Sequence, residues 1–201
     1  MKKILSLGMT LLVLSAFSLQ TSAANLSHTV VKGDTMWKIA TTYQIGTSEI
    51  IQANPHISNP NLIYPGQVLN IPLLDSSVTS FEREVVQLVN EHRVQNGLQP
   101  LTENWELSRV ARYKSQDMVD NRYFSHTSPT YGSPFQMIRA FGLSYRTAGE
   151  NIAYGQRTPQ AVVNAWMNSS GHRANILNAS YTQIGVGYVA NGHYWTQMFI
   201  G

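Results

Sequence analysis

The 201-residue chain contains no cysteine. Disulfide stapling, thiol catalysis and cysteine-ligated metal are therefore excluded. Beyond the first few residues there is no cluster of Lys and Arg. The formal charge of +3 falls to +1 once Lys2 and Lys3 are set aside. So weak a balance gives no basis for a nucleic-acid partner or an acidic membrane surface. No HExxH stretch is present, which removes the commonest helical zinc signature. What the chain does have is an ordinary apolar share of 43%. That is enough for a buried core and argues against global disorder.

The one sustained apolar run is at the start. "MKKILSLGMTLLVLSAFSLQTSAA" places Lys2 and Lys3 before an apolar stretch from Ile4 to about Phe17, then closes on Thr21-Ser22-Ala23-Ala24. The run is short for a membrane span of about 20 residues. Basic start, apolar middle and small-residue end make residues 1–24 a secretory signal peptide, cleaved after Ala23 or Ala24, with no transmembrane anchor left behind. A secreted chain without cysteine reads as a bacterial export product.

Residues 28–72 form a compact unit. Thr29-Val30-Val31 predicts a short strand, broken by Gly33-Asp34. Asp34 or Thr35 caps a helix through Met36, Ile39, Ala40 and Tyr43. Ser48 caps a second, with Ile50, Ile51 and Ala53 on its apolar face, and Asn54-Pro55 ends it. Tyr64-Pro65-Gly66-Gln67 reads as a turn, and Val68 to Pro72 as a closing strand. The stretch "VVKGDTMWKIA…ANPHISNPNLIYPGQVLNIP" resembles a LysM module over its whole length. The resemblance implies a βααβ fold that binds N-acetylglucosamine polymers such as peptidoglycan. It also implies a shallow groove between two loops, here Gly33-Asp34-Thr35-Met36 and Asn61-Leu62-Ile63-Tyr64. Residues 73–80, rich in Ser, Thr and Asp, read as a linker.

A second domain, 81–201, follows. Phe81, Val85, Leu88, Val89 and His92 recur at helical spacing, and Asn96-Gly97 ends that helix. A second helix is predicted from about Asn104 to Asp120, with Leu107, Val110, Ala111 and Met118 on its apolar face. Residues 121–132 look like a loop. Ser133-Pro134 and Thr158-Pro159 each open a further helix, the latter stopping near Gly171. In the tail, Asn191-Gly192 between β-prone runs predicts a hairpin with a type I′ turn. The class is α+β.

Chemistry concentrates on two histidines and one carboxylate. His126 lies in "YFSHTSP", His172 in "SSGHRANIL" and Glu150 in "AGENIAYG". Amid small and apolar neighbours, Glu150 is either partnered or raised in pKa. The trio can make an open metal site, an acid–base pair, or satisfied structural polar groups, and spacing alone does not decide among them. The motifs "LVNEHRVQNGLQPL", "YFSHTSP", "GENIAYG", "AWMNSSGHRANIL", "IGVGYV" and "YWTQMF" together resemble the CAP superfamily, which includes cysteine-rich secretory proteins, venom antigens and plant pathogenesis-related proteins. The likeness is to its short cysteine-free bacterial branch. It implies an α-β-α sandwich with a central cleft that carries two histidines and two glutamates. His126, Glu150 and His172 match three of the four. The fourth belongs near Asn168–Ser169, where "WMNSS" offers no carboxylate. Gln197 is expected to line the cleft, since strand alternation groups Trp195, Gln197 and Phe199.

Three functions are compatible with this sequence. The first is a cell-envelope protein that binds wall glycan through LysM and presents a His/Glu cleft to a ligand, a divalent metal (zinc or magnesium) or a partner, without turnover. The second is a wall-acting hydrolase that uses His126, Glu150 and His172 as catalytic groups or metal ligands. The third is a structural protein of a spore or surface layer. The first is preferred, because the LysM stretch supports it directly and the missing carboxylate weakens catalysis.

Overall fold

The computed structural model describes residues 26–201. The signal-peptide expectation for residues 1–24 falls outside the described residues. Among the described residues, no helix is long and apolar enough to cross a membrane.

The N-terminal unit is the expected βααβ arrangement: β1 (Leu26–Thr29), α1 (Met36–Tyr43), α2 (Thr47–Ala53) and β2 (Val68–Ile71). β1 and β2 pair antiparallel, with Leu26 opposite Ile71 and Thr29 opposite Val68. The first strand therefore starts three residues before the predicted Thr29. At Val31 the backbone N–H already donates to the Asp34 carboxylate at 2.9 Å, which turns the chain. Thr35 is the N-cap of α1, its hydroxyl accepting from the Lys38 N–H. For α2 the cap is Gly46, not Ser48. The Ser48 hydroxyl instead donates to Glu49 and accepts from Arg109. Val30, Ile39, Ile50, Leu69 and Ile71 form the small core.

Little linker exists. Helix α3 (Ser76–Gln95) begins inside the expected 73–80 connector, capped by Asp75, whose carboxylate accepts from the Ser77 N–H. The remaining elements are β3 (Thr102–Glu103), α4 (Trp105–Asp120), α5 (Pro134–Ala140), β4 (Ala148–Tyr154), α6 (Pro159–Met167), α7 (Ser170–Ile176), β5 (Gln183–Val189) and β6 (Tyr194–Ile200). One four-stranded sheet runs in the order β3-β5-β6-β4. β3 lies parallel to β5, and the other neighbours are antiparallel.

Alternation along β6 decides what covers each face. Trp195 and Phe199 join Ile184 and Val186 of β5, Val85 and Val89 of α3, and Val162 and Trp166 of α6 in one core. Met198 and Ile200 point the other way, into Leu107, Val110 and Ala111 of α4 and Met137 and Ile138 of α5. The result is helices on both faces of a sheet. "IGVGYV" explains how α4 comes so close. A Cβ at Gly185 would overlap the Leu107 and Ser108 backbone, and one at Gly187 the Ala111 and Arg112 backbone.

The tail hairpin forms, but its loop is longer than a two-residue turn. Val189 pairs with Tyr194, leaving Ala190 to His193 as the loop. Positive φ falls on Gly192 and His193, not on Asn191. Two strands are hidden from sequence reasoning, the two-residue β3 and the longer β4. The inward positions of β4 on one face are Gly149, Asn151 and Ala153, too small or polar to display alternation.

The two units touch. Arg109 of α4 reaches Glu49 of α2 through two nitrogens, at 2.5 and 2.9 Å, and the Ser48 hydroxyl at 2.8 Å. Its guanidinium also lies over the rings of Tyr113 and Phe141.

Candidate functional site

Helix α4 builds the second domain's site from inside. Its apolar stripe runs Leu107, Val110, Ala111, Met118, yet Lys114 occupies the same stripe and is only 1% exposed. The ammonium donates to the Tyr123 hydroxyl at 3.0 Å and to the carbonyls of Ser125 at 2.7 Å and His126 at 3.0 Å. One turn on, Asp117 accepts from Ser128 at 2.6 Å, Thr130 at 2.5 Å, Asn121 at 2.8 Å and also Tyr123. Burial alone would raise the Asp117 carboxyl. The hydroxyls of Ser128, Thr130 and Tyr123 outweigh that and hold it below its usual range. Burial lowers the Lys114 ammonium, while the nearby Glu150 and Asp117 charges oppose the shift. These two side chains fix the 121–132 loop, and with it His126.

β4 delivers the partner. Glu150 sits opposite Met198 of β6, on the face that α4 covers. Its Oε1 meets His126 Nδ1 at 2.7 Å. Among the described residues its buried Oε2 has no hydrogen-bond partner. The Glu150 side chain is 2% exposed and that of His126 52%. Burial pushes the Glu150 carboxyl up, against the His126 hydrogen bond and the Lys114 charge. Both sequence alternatives for Glu150 are thus realised together: it is partnered, and its pKa is raised.

His172 arrives differently. The helix predicted to stop near Gly171 ends at Met167, and Gly171 and His172 belong to the first turn of α7. α7 is tied to the edge strand by Asn151, which donates to the His172 carbonyl at 3.1 Å, and by Asn175, which donates to the Glu150 carbonyl at 3.1 Å. Burial lowers the His172 imidazole, and the His126 charge adds to the shift. No hydrogen bond links the two histidines. Among the described residues, no three of His, Cys, Asp or Glu stand close enough to share an ion. The expected zinc or magnesium site of His126, Glu150 and His172 is not assembled by this geometry: one oxygen of Glu150 is taken by His126 and the other is enclosed. Asn168 and Ser169, where a fourth member was sought, are the C-cap of α6 and the N-cap of α7.

Gln197 requires a correction. It shares a face with Trp195 and Phe199, as alternation predicts, but that face is opposite to Glu150. It is fully buried, accepting from Asn151 at 2.9 Å. It supports the sheet behind the site and does not line it.

In the N-terminal unit the backbone just before the first expected loop is bonded to the turn just after the second. Val30 N–H donates to Gln67, and Gly66 N–H to Val30, so the chain leaving β1 runs beside the turn entering β2. Gly33 is at φ +95°, and its carbonyl accepts from Lys38 Nζ at 2.7 Å. Asp34 receives His28 Nε2 at 2.9 Å as well as the Val31 N–H. Those bonds hold its carboxyl below the usual range, the backbone bond first. Thr35 is spent on capping, and Met36 is 5% exposed, so its side chain faces the core. Ile63 packs partly against that core. Asn61, Leu62 and Tyr64 stay exposed, the last at 56%.

A LysM unit joined to an α-β-α sandwich with a His–Glu pair at its sheet edge defines a class of two-domain proteins. Comparison with known proteins finds two family matches. Residues 28–72 match the LysM domain model, and residues 86–199 match that of the cysteine-rich secretory protein family, CAP. The chain belongs to the CAP family and carries a LysM domain, a type that binds N-acetylglucosamine glycans. It is 62% identical over 126 residues to the Bacillus subtilis protein YkwD, covering 63% of this chain and 49% of YkwD. It is 41% identical over 122 residues to the Bacillus subtilis membrane protein YlbC, covering 61% of this chain and 35% of YlbC. The chain thus spans half or less of these relatives' length. Among solved structures, an extracellular SCP-domain protein from Bacillus anthracis superposes with a TM-score of 0.60 at 33% identity, covering 68% of this chain and 47% of the other.

Proposed function

We propose that this chain is a secreted envelope protein that holds peptidoglycan through its LysM loops and presents the His126–Glu150 pair of its CAP domain to a ligand or partner. The observation that supports this reading is the match of residues 28–72 to the LysM domain model, with the second expected loop open to solvent. That loop offers the exposed amide of Asn61 next to the exposed Leu62 and Tyr64. Such a mixture suits a sugar with acetamido groups and apolar ring faces. Co-sedimentation with purified sacculi tests it. The protein should pellet with wall, and Tyr64→Ala with Leu62→Ala should leave it in the supernatant. Equal pelleting of both proteins, or of neither, would remove the reading.

The His126–Glu150 pair also favours a second, hydrolytic reading. A buried carboxyl with a raised pKa beside an exposed imidazole is an acid–base couple. The test is release of soluble fragments from wall by the wild type and not by Glu150→Gln. A wild type that releases nothing leaves the binding reading alone.

A further inference from the structure

We propose that Phe124, Tyr154 and Tyr194 form a second sugar-binding subsite, on the CAP domain, which stacks an N-acetylhexosamine ring of the same polymer the LysM loops hold. The inference rests on the LysM reading above.

The platform follows from register. Tyr154 ends β4 directly opposite Tyr194 at the start of β6, and alternation puts both on the face that carries Glu150. Their rings lie 5.7 Å apart and within 24° of parallel. Phe124, from the loop that carries His126, stands edge-on to Tyr154 at 4.7 Å and 63°, and to Tyr194 at 6.5 Å and 60°. Together they make two stacked, roughly parallel rings with a third set edge-on to both. Phe124 is 45% exposed and Tyr154 56%. Single exposed apolar residues are ordinary. Three aromatic rings in mutual contact at the surface are not, least of all when one sits on a backbone pinned by Lys114 and Asp117.

The chemistry selects a saturated ring with hydroxyls. An aromatic face carries negative potential that attracts C–H groups of low polarity, and phenol oxygens beside it can bond hydroxyl or acetamido groups. Position selects a chain of such rings. Tyr154 lies four residues along β4 from Glu150, about 13 Å at strand rise. A polymer seated on the platform would run toward the His126–Glu150 pair. The source of the polymer is the LysM domain on the same chain. The Arg109 contacts with Glu49 and Ser48 join the two domains, so a polymer long enough to span both sites meets the second one intramolecularly.

The test uses the full chain, its backbone amides followed by NMR while an N-acetylglucosamine pentamer is added. Shifts are expected at 33–36 and 61–64, and at Phe124, Tyr154 and Tyr194. Shifts at the LysM loops alone would overturn the platform and leave the LysM reading intact. Shifts at the platform alone would remove the LysM reading and with it the shared-polymer proposal, and shifts at neither would also remove both. Platform shifts with phosphatidylglycerol vesicles but not with the pentamer would overturn the proposal in favour of a lipid surface. As a second measure, Phe124→Ser with Tyr154→Ser should weaken retention on sacculi about three- to tenfold, the loss expected for one aromatic stacking contact. Unchanged retention with a native-like spectrum would also overturn it.

Discussion

Replacing Lys114 with Met should destabilise the protein by about 1–3 kcal/mol and release His126 from Glu150. The replacement keeps a long unbranched side chain in a position that is 1% exposed, so the apolar stem still packs. What disappears is the ammonium. The carbonyls of Ser125 and His126, bonded to it at 2.7 and 3.0 Å, lose their donor. An acceptor left without a partner costs roughly 1–3 kcal/mol, and because Ser125 and His126 are exposed residues water replaces part of what each carbonyl loses. The Tyr123 hydroxyl loses less, because it still donates to Asp117. Removing a buried charge also relieves its desolvation, which trims the sum. The remainder is a sizeable fraction of a typical stability of about 5–15 kcal/mol. Urea unfolding followed by tryptophan fluorescence measures it as a lower midpoint at unchanged slope. NMR of the His126 ring reads the loss of the Glu150 contact. A destabilisation under about 1 kcal/mol with the His126 signal unmoved would mean that Lys114 does not hold the loop.

Three further outcomes are expected. Glu150→Gln should gain stability relative to the wild type as pH rises. The folded carboxyl is raised above its unfolded value of 4.5, so the native state binds more protons and wild-type stability falls as pH climbs from that value through the folded one. The amide does not titrate, and unfolding at pH 4 and pH 7.5 should show the gap between the two proteins moving in the variant's favour; a constant gap refutes this. Gly187→Ala should cost about 2–4 kcal/mol, because its Cβ meets α4 backbone that cannot rotate away, whereas Gly171→Ala, with open space at its Cβ, should be close to neutral; thermal melts compare them. Arg109→Ala and Glu49→Ala should show a coupling energy of about 1 kcal/mol in a double-mutant cycle, since the pair is bidentate but its side chains remain 20% and 25% exposed; no coupling would mean that the LysM unit is not latched to α4.

Much of the fold was legible because its signals are local. Thr35, Asn104, Ser133 and Thr158 announce helix starts through hydroxyl or amide caps, and each accepts from the backbone N–H three residues on. Periodicity found α4 and β6 because their apolar stripes are unbroken enough to count. It missed β4, whose face toward α6 and α7 is built from Gly149, Asn151 and Ala153. There the bulk is supplied by Tyr181, whose ring fills the space beside Gly149, and by Asn175, which bonds Asn151. A strand shaped by its neighbours' side chains does not display its own period.

The site shows the same division between residue type and geometry. His126, Glu150 and His172 stand out as polar residues in unusual company, but only topology says which of them meet. Because β4 is an edge strand, Glu150 can face α4 while α7 docks on the opposite side, so chain order and spacing give no hint that His126 wins the carboxylate and His172 does not. Lys114 was the readable clue that went unused. It occupies the apolar stripe of α4 between Ala111 and Met118, where a lysine is costly unless bonded. Read that way, it predicts a buried acceptor cluster beside α4. Among the described residues the 121–132 loop supplies those acceptors, and its histidine lies against the carboxylate that β4 presents. The charge inside the stripe, more than the histidine motif itself, is what makes His126–Glu150 a constructed pair.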